Sequence, residues 1–295
     1  MNADINSDIR HETGKFKGAG ELDLFIQSWT PKKPLKNGKA VAPLKPAVIA
    51  LVHGMAEHSG RYGFPVKYFT SRGYTVYAMD LRGHGESGGR RSYADSFEDL
   101  MEDIDRYLEK IRKAEKGKKV FLVGHSFGGQ LVLNYGARHP EGLAGIVVSS
   151  PNVSLKVRIP IVKRLAAPIL SRLVPRLALG NELDPSMVSK DPDVVEAYRR
   201  DKKIQKKITT RLADIVLENH LHILELAKTF RVPSLLMHAG DDVICSPDGT
   251  KRFFENIPIK DKKFKVYDGF YHELFNEVGR NQVFRDMELW ILKRL

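Results

Sequence analysis

Short apolar runs alternate with amphipathic stretches along most of this chain. Runs near residues 47–52, 74–79, 120–123, 143–149, 234–239 and 264–267 are rich in Val, Ile, Leu, Phe and Tyr and too short for helices, so they predict buried strands. Between them lie helical patterns. From Phe97 to Lys116 the apolar residues Phe97, Leu100, Ile104, Leu108 and Ile111 recur at helical spacing, behind a Ser96-x-x-Asp99 capping signal and ahead of Gly117. A closing helix turns Val283, Met287, Trp290 and Ile291 toward the core. The rhythm predicts an α/β fold with a mostly parallel central sheet covered by helices on both faces. Upstream, residues 16–29 read as a hairpin with a Gly turn, followed by a Pro/Lys/Gly-rich connection from Pro31 to Pro46.

One stretch breaks the rhythm. Residues 152–222 are far too many for a strand-to-helix connection, and Pro160, Pro168 and Pro175 predict that the segment is cut into short helices. The expectation is a helical cap inserted into a core made of residues 1–151 and 223–295. Within it Ile161, Leu165, Ile169, Leu173 and Leu177 recur every fourth residue, with Arg164, Arg172 and Arg176 on another face. Such a stripe lies on an anionic membrane surface, lines an acyl tunnel, or packs down on the core with its arginines in water; the pattern leaves all three open. Lys202, Lys203, Lys206, Lys207 and Arg211 read as a solvated helix face.

The run Val120 to Val123 leads into Gly124-His125-Ser126-Phe127-Gly128, with a helical stretch after it. Gly-x-Ser-x-Gly at a strand-to-helix turn is a nucleophile elbow, in which strained backbone lifts a serine clear of its surroundings while glycines relieve crowding on either side. Ser126 is the candidate nucleophile. A nucleophilic serine needs a histidine base and a carboxylate that fixes the base's tautomer. In this arrangement they follow in the order serine, acid, histidine. The strand run 234–239 ends in Gly240-Asp241-Asp242, and the next run ends in Asp268-Gly269-Phe270-Tyr271-His272. His272 is the candidate base. Asp241 suits a turn cap, while Asp242 projects toward the histidine loop, which favours Asp242 as the acid. The oxyanion needs two amides, one after the nucleophile and one from the loop after an early strand. Phe127 and Met55, the latter after the apolar run ending His53-Gly54, fill those places. His11, His139, His220, His222 and His238 read as surface or packed histidines.

These motifs resemble the monoacylglycerol lipase and lysophospholipase group of serine α/β-hydrolases, from about Phe16 onward. The matching residues are His53-Gly54-Met55-Ala56-Glu57-His58-Ser59-Gly60-Arg61-Tyr62, Asp80-Leu81-Arg82-Gly83-His84-Gly85-Glu86-Ser87, the elbow, Ser149-Ser150-Pro151, Asp242-Val243-Ile244-Cys245 and Tyr267-Asp268-Gly269-Phe270-Tyr271-His272. The resemblance implies the α/β-hydrolase fold, the triad Ser126, Asp242 and His272, and an oxyanion hole of Met55 and Phe127. It also implies that Arg61 and Tyr198 lie near a polar pocket for the substrate's head. His125, Ile161, Leu165 and Ile169 are further substrate-binding candidates. Where related monoglyceride lipases carry an acidic residue after the Ser-Pro step, this chain has Lys156-Val157-Arg158, which leaves room for a different polar head.

The expected reaction is hydrolysis of a carboxylic ester of a single-chain lipid, foremost a monoacylglycerol, through an acyl-enzyme. Alternatives are a lysophospholipase, an aminopeptidase of the same fold and a non-catalytic ligand-binding scaffold. The net charge of +12 invites a nucleic-acid reading, but no recognised nucleic-acid module appears, so no nucleic-acid partner is expected. His53 and His58 lack the spacing and third ligand of a zinc site, and Gly83 to Gly89 lacks the Gly-Lys-Ser/Thr ending of a P-loop. No metal or cofactor is expected. With one cysteine, Cys245, no apolar run of membrane-spanning length and no secretory signal, the expected location is the cytoplasm, alone or at the periphery of a membrane.

Overall fold

The computed structural model describes residues 8–32, 47–157, 160–181 and 183–295. The leader 1–7, most of the Pro31 to Pro46 connection and Arg158 lie outside them. The chain opens on an antiparallel hairpin, β1 (Ile9–Lys17) and β2 (Asp23–Pro31). Strands and helices then alternate: β3 (Ala47–Val52), α1 (Gly63–Thr70), β4 (Thr75–Met79), α2 (Phe97–Ala114), β5 (Lys119–His125), α3 (Phe127–Arg138) and β6 (Gly145–Ser149). An insertion follows, with α4 (Ile161–Leu173), β7 (Ala178–Gly180), α5 (Pro192–Arg200), β8 (Lys207–Thr209) and α6 (Thr210–Ala227). The chain returns to the sheet through β9 (Ser234–Ala239), α7 (Pro247–Asn256), β10 (Lys262–Tyr267) and α8 (Arg280–Leu292).

The main sheet runs in the order β1-β2-β4-β3-β5-β6-β9-β10. It is parallel from β4 to β10, and antiparallel only where β2 meets β1 and β4. Alternation along each strand sends side chains to two separate cores. Val48, Ala50 and Val52 of β3 join Val120 and Leu122 of β5 on one face, beneath α2 and α3. Ala47, Ile49 and Leu51 join Phe121, Val123 and Met237 on the other, beneath α1 and α8. The expected stripe of α2 is the buried one, and the Ser96 hydroxyl caps it by accepting from the Asp99 amide at 3.0 Å.

Four departures from the sequence reading have physical causes. The hairpin is longer than expected because the outer strand β1 is exposed for most of its length and carries no apolar alternation to reveal it. His11, expected in the leader, lies on β1 and stacks flat on Trp29 at 4.9 Å. Pro168 does not end α4; it takes its own amide out of the ladder and crowds the carbonyl four residues earlier, and packing against α6 offsets that cost. The expected boundary at 222 falls inside α6, whose Leu212, Ile215, Val216 and Ile223 belong to the core.

Candidate active site

Three strand ends converge on the site. β5 runs out at His125 and α3 begins at Phe127, which leaves Ser126 at the corner with φ 52° and ψ −117°. Side chains rarely occupy this left-handed region, so the surroundings must impose it. The Ser126 amide donates to the Ser149 carbonyl at 3.0 Å, and its own carbonyl accepts from Gln130 at 3.0 Å and Asn152 at 2.9 Å. The flanking glycines are dictated by space. A Cβ on Gly124 would sit 2.4 Å from the Gly128 carbonyl oxygen, and one on Gly128 would sit 2.4 Å from the carbonyl oxygens of Val52 and His53.

Asp242 follows β9, and both of its carboxylate oxygens are engaged. Oδ1 accepts from the amides of Ile244 at 2.8 Å and Cys245 at 3.0 Å, while Oδ2 accepts from His272 Nδ1 at 2.7 Å. The turn-capping role expected of Asp241 therefore belongs to Asp242, and Asp241 is an exposed partner of Lys190. Sequence reasoning also missed His238. Its Nε2 lies 3.2 Å from Asp242 Oδ2 and its Nδ1 2.8 Å from Thr250 Oγ1. Nothing marked this histidine beyond its place four residues before the acid.

Burial opposes the charge on Asp242, yet His272 and His238 hold its carboxyl well below the usual carboxylate range. Burial likewise opposes charge on His272, but the carboxylate of Asp242 outweighs it and sets the imidazole above its ordinary 6.5. With Nδ1–H committed to Asp242, Nε2 is the nitrogen that accepts a proton. His272 and Ser126 line one cavity of about 220 Å³. The His125 ring stands 4.8 Å from that of His272 and is kept neutral by burial and by that neighbour, its value falling to about 4.

The loop after β3 is braced from two sides. Leu81 donates its amide to His53 Nε2 at 2.9 Å, which assigns the His53 proton to Nδ1, and Nδ1 donates to the Gly54 carbonyl at 2.7 Å. The Gly54 amide donates to Glu57 at 2.7 Å. Met55, next in sequence, borders the cavity. Phe127 buries its ring in the core and heads α3, where the first amides of a helix have no intrahelical acceptor.

Arg61 does not reach the cavity wall. Nη1 donates to Glu57 at 2.7 Å and to Glu273 at 2.6 Å, Nη2 donates to Glu273 at 2.8 Å, and the Tyr198 ring covers the guanidinium at 4.6 Å. Glu57, Glu273 and Tyr198 line the cavity in its place. This buried cluster joins the Gly54 loop to the residue after His272. Burial pulls Glu57 toward neutrality, but Arg61, His125, His53 and the Gly54 amide together outweigh it and hold it at about 2. The remaining wall includes Leu155, Leu183, Val188, Ile208, Val216 and Leu217, so the cavity has a charged end and an apolar lining.

The expected substrate contacts on α4 are not there. Ile161, Leu165 and Ile169 are 64%, 66% and 59% exposed and border no part of this cavity. The less exposed face of α4 is formed by Ala166, Ala167, Leu170 and Ser171, three of them small, which permits close approach to α6. Ile161, Val162, Leu165, Ile169 and Leu173 are left facing outward, which also removes the reading in which the stripe packs down on the core.

A family model described as serine aminopeptidase, S33, matches residues 45–279. The chain belongs to this family. The hydrolase is 31% identical over 281 residues to a monoacylglycerol lipase of Mycolicibacterium smegmatis, a match covering 95% of this chain and 96% of that relative. It is 35% identical over 92% of its own length to an uncharacterized abhydrolase domain-containing protein of Dictyostelium discoideum, but spans only 28% of that protein. Among solved structures, the monoacylglycerol lipase of Paleococcus ferrophilus is 35% identical, with a TM-score of 0.79 over 85% of this chain and 96% of that one. The expected α/β-hydrolase fold and serine-hydrolase class are thereby borne out. Among the described residues no helix is long and apolar enough to cross a membrane.

Proposed function

We propose that the protein hydrolyses the carboxylic ester of a single-chain lipid, foremost a monoacylglycerol, through an acyl-enzyme on Ser126. The observation that carries this reading is the pairing of Asp242 Oδ2 with His272 Nδ1 at 2.7 Å beside the strained Ser126, in a cavity that is apolar along one wall and carboxylate-lined at one end. The similarity to proteins called monoacylglycerol lipase supports the same substrate class. His272 Nε2 takes the Ser126 proton as Oγ attacks the ester carbonyl, and Asp242 steadies the imidazolium. The amides of Met55 and Phe127 hold the oxyanion. Collapse expels the alcohol, which takes its proton from His272. Water then attacks the acyl-enzyme with His272 as base and frees the fatty acid. The alcohol's hydroxyls face Glu57, Glu273 and Tyr198, with Arg61 behind them as a positioning residue.

The insertion acts in this reading as a cap, and the outward apolar face of α4 meets a lipid surface. Leu165 and Leu173, at 66% and 75% exposed, are large aliphatic groups for which water is a poor environment. A fluorophosphonate probe is expected to label the native protein and leave Ser126→Ala unlabelled, with the far-UV spectrum unchanged. Turnover is expected to be greater on a monoacylglycerol than on lysophosphatidylcholine or an amino-acyl arylamide. Labelling of Ser126→Ala would refute the nucleophile, and faster arylamide turnover would refute the substrate class.

A further inference from the structure

The basic run after α5 is not the helix face its sequence suggested. Residues 201–206 form a loop and Lys207 opens β8. Together they line a cleft of about 510 Å³ whose cations are Arg91, Arg199, Arg200, Lys202, Lys206 and Lys207. Arg91 comes from a distant stretch of chain, brought there because both the amide and the hydroxyl of Thr209 donate to the Ser92 carbonyl, at 3.2 and 2.6 Å. Asp201 also borders the cleft, but its carboxylate is engaged by His58 at 2.8 Å and by the Lys203 amide at 2.8 Å. Arg200 pairs with Glu196. Among the described residues no carboxylate lies within ion-pair distance of Arg91, Arg199, Lys202, Lys206 or Lys207. On α2, by contrast, Arg106 and Lys113 are paired with Glu102 and Glu109.

Glu196, Asp201, and the more distant Glu86 and Asp184 offset only part of the cleft's charge; the cations in excess repel one another, and an anion that enters the cleft relieves that repulsion. The setting narrows the kind of anion. Leu177 and Leu179, 44% and 47% exposed, flank Ala178 of the cleft and continue the exposed face of α4 through Leu173 and Val174. Ile208 of β8 lines the catalytic cavity while Lys207 of the same strand lines the cleft, and the Gln205 amide donates to the Ala56 carbonyl beside Met55 at 2.8 Å. The insertion, residues 152–222, holds 14 basic and 8 acidic side chains, +6 of the chain's +12. We propose that this cleft receives the phosphate of an anionic phospholipid when the α4 face meets a bilayer, so that charge fixes the orientation in which the cavity approaches its substrate. The proposal rests on the reading of α4 as a lipid-facing helix.

The test is flotation of the full chain with vesicles of phosphatidylcholine alone and with vesicles of phosphatidylcholine and phosphatidylglycerol in equal parts. The wild type should bind the mixed vesicles more tightly. The triple variant Lys202→Gln/Lys206→Gln/Lys207→Gln should lose about 100-fold of that gain, at roughly five-fold per basic group near an anionic surface. Lys110→Gln/Lys113→Gln/Lys116→Gln, which removes equal charge from the C-terminal end of α2 and the turn after it, should lose a few-fold at most. Hydrolysis of a soluble short-chain ester should be the same in all three proteins. Equal losses in the two triple variants, or retention of the gain in the first, would overturn the cleft. Displacement from the mixed vesicles by inorganic phosphate beyond that caused by chloride at equal ionic strength would assign the cleft to free phosphate and overturn the lipid head group. Binding to phosphatidylcholine alone, compared between the wild type and Leu165→Ser/Ile169→Ser, reports on α4 separately, so failure of either reading is recognisable.

Discussion

Replacing Arg61 by Met removes the cation that Glu57 and Glu273 share. Side-chain exposure is 9% for Arg61 and 4% and 6% for the two carboxylates, so water cannot take over the three lost hydrogen bonds. Breaking a buried ion pair by deleting one partner costs about 3–5 kcal/mol, a large share of the roughly 5–15 kcal/mol that holds a typical domain together. The loss should depend on pH. In the wild type Glu57 is held at about 2, below its ordinary 4.5, so its ionisation favours the fold above 4.5 and that contribution vanishes as pH falls through 2. In Arg61→Met the unpaired Glu57 takes up a proton more readily, so the stability gap from wild type narrows as pH falls from neutrality toward 4.5. Catalysis has its own signature. Glu273 and Glu57 both raise the His272 imidazole, and without Arg61 to offset them the acid limb of kcat/KM moves to higher pH. Arg61→Lys, which keeps the charge and loses the fork, should fall between. Urea unfolding and pH-rate profiles test both parts. A stability loss under about 1 kcal/mol together with an unmoved acid limb would show that Arg61 neither holds the cluster nor tunes the base.

Three further outcomes follow from the site and from α4. Asp242→Asn keeps an acceptor for the Ile244 and Cys245 amides but removes the charge that most raises His272, so the acid limb should move to lower pH while the rate falls by about 10⁴. A wild-type pH profile in that variant would contradict the assignment. Gly128→Ala drives a methyl group against the carbonyls of Val52 and His53, which overpacks the elbow by at least about 1–3 kcal/mol and should lower both the urea midpoint and fluorophosphonate labelling. Leu165→Ser/Ile169→Ser should weaken vesicle binding while leaving turnover of a soluble ester unchanged, and equal binding by both proteins would exclude α4 as the lipid-facing surface.

Much of this fold is legible along the chain because parallel strands covered on both faces need continuous apolar runs, and β3, β6 and β9 are buried from end to end. The elbow is legible for a related reason. Its glycines answer to backbone oxygens a few ångströms away, a constraint strict enough to leave a local motif. What escaped the sequence depends on partners distant in the chain. Arg61 resembles a substrate ligand until Glu273, 212 residues later, closes on it. His238 resembles any packed histidine until the chain turns and sets Asp242 beside it. The α4 stripe misled because apolar periodicity identifies a face without saying what covers it; Ala166, Ala167 and Ser171 supply the closer fit to α6. The lysines after α5 are spaced as if on one helix face, a false signal because the chain there is a loop, and only the bonds from Thr209 to Ser92 bring Arg91 among them.

The two oxygens of Asp242 answer to different masters. One keeps the corner between β9 and α7 folded, and the other serves the imidazole. A descendant of this chain that abandoned chemistry would still need an acceptor there, so an aspartate at this position says little about whether such a protein is an enzyme. Ser126 says more, because a side chain forced into left-handed backbone has no architectural use that glycine would not serve at lower cost.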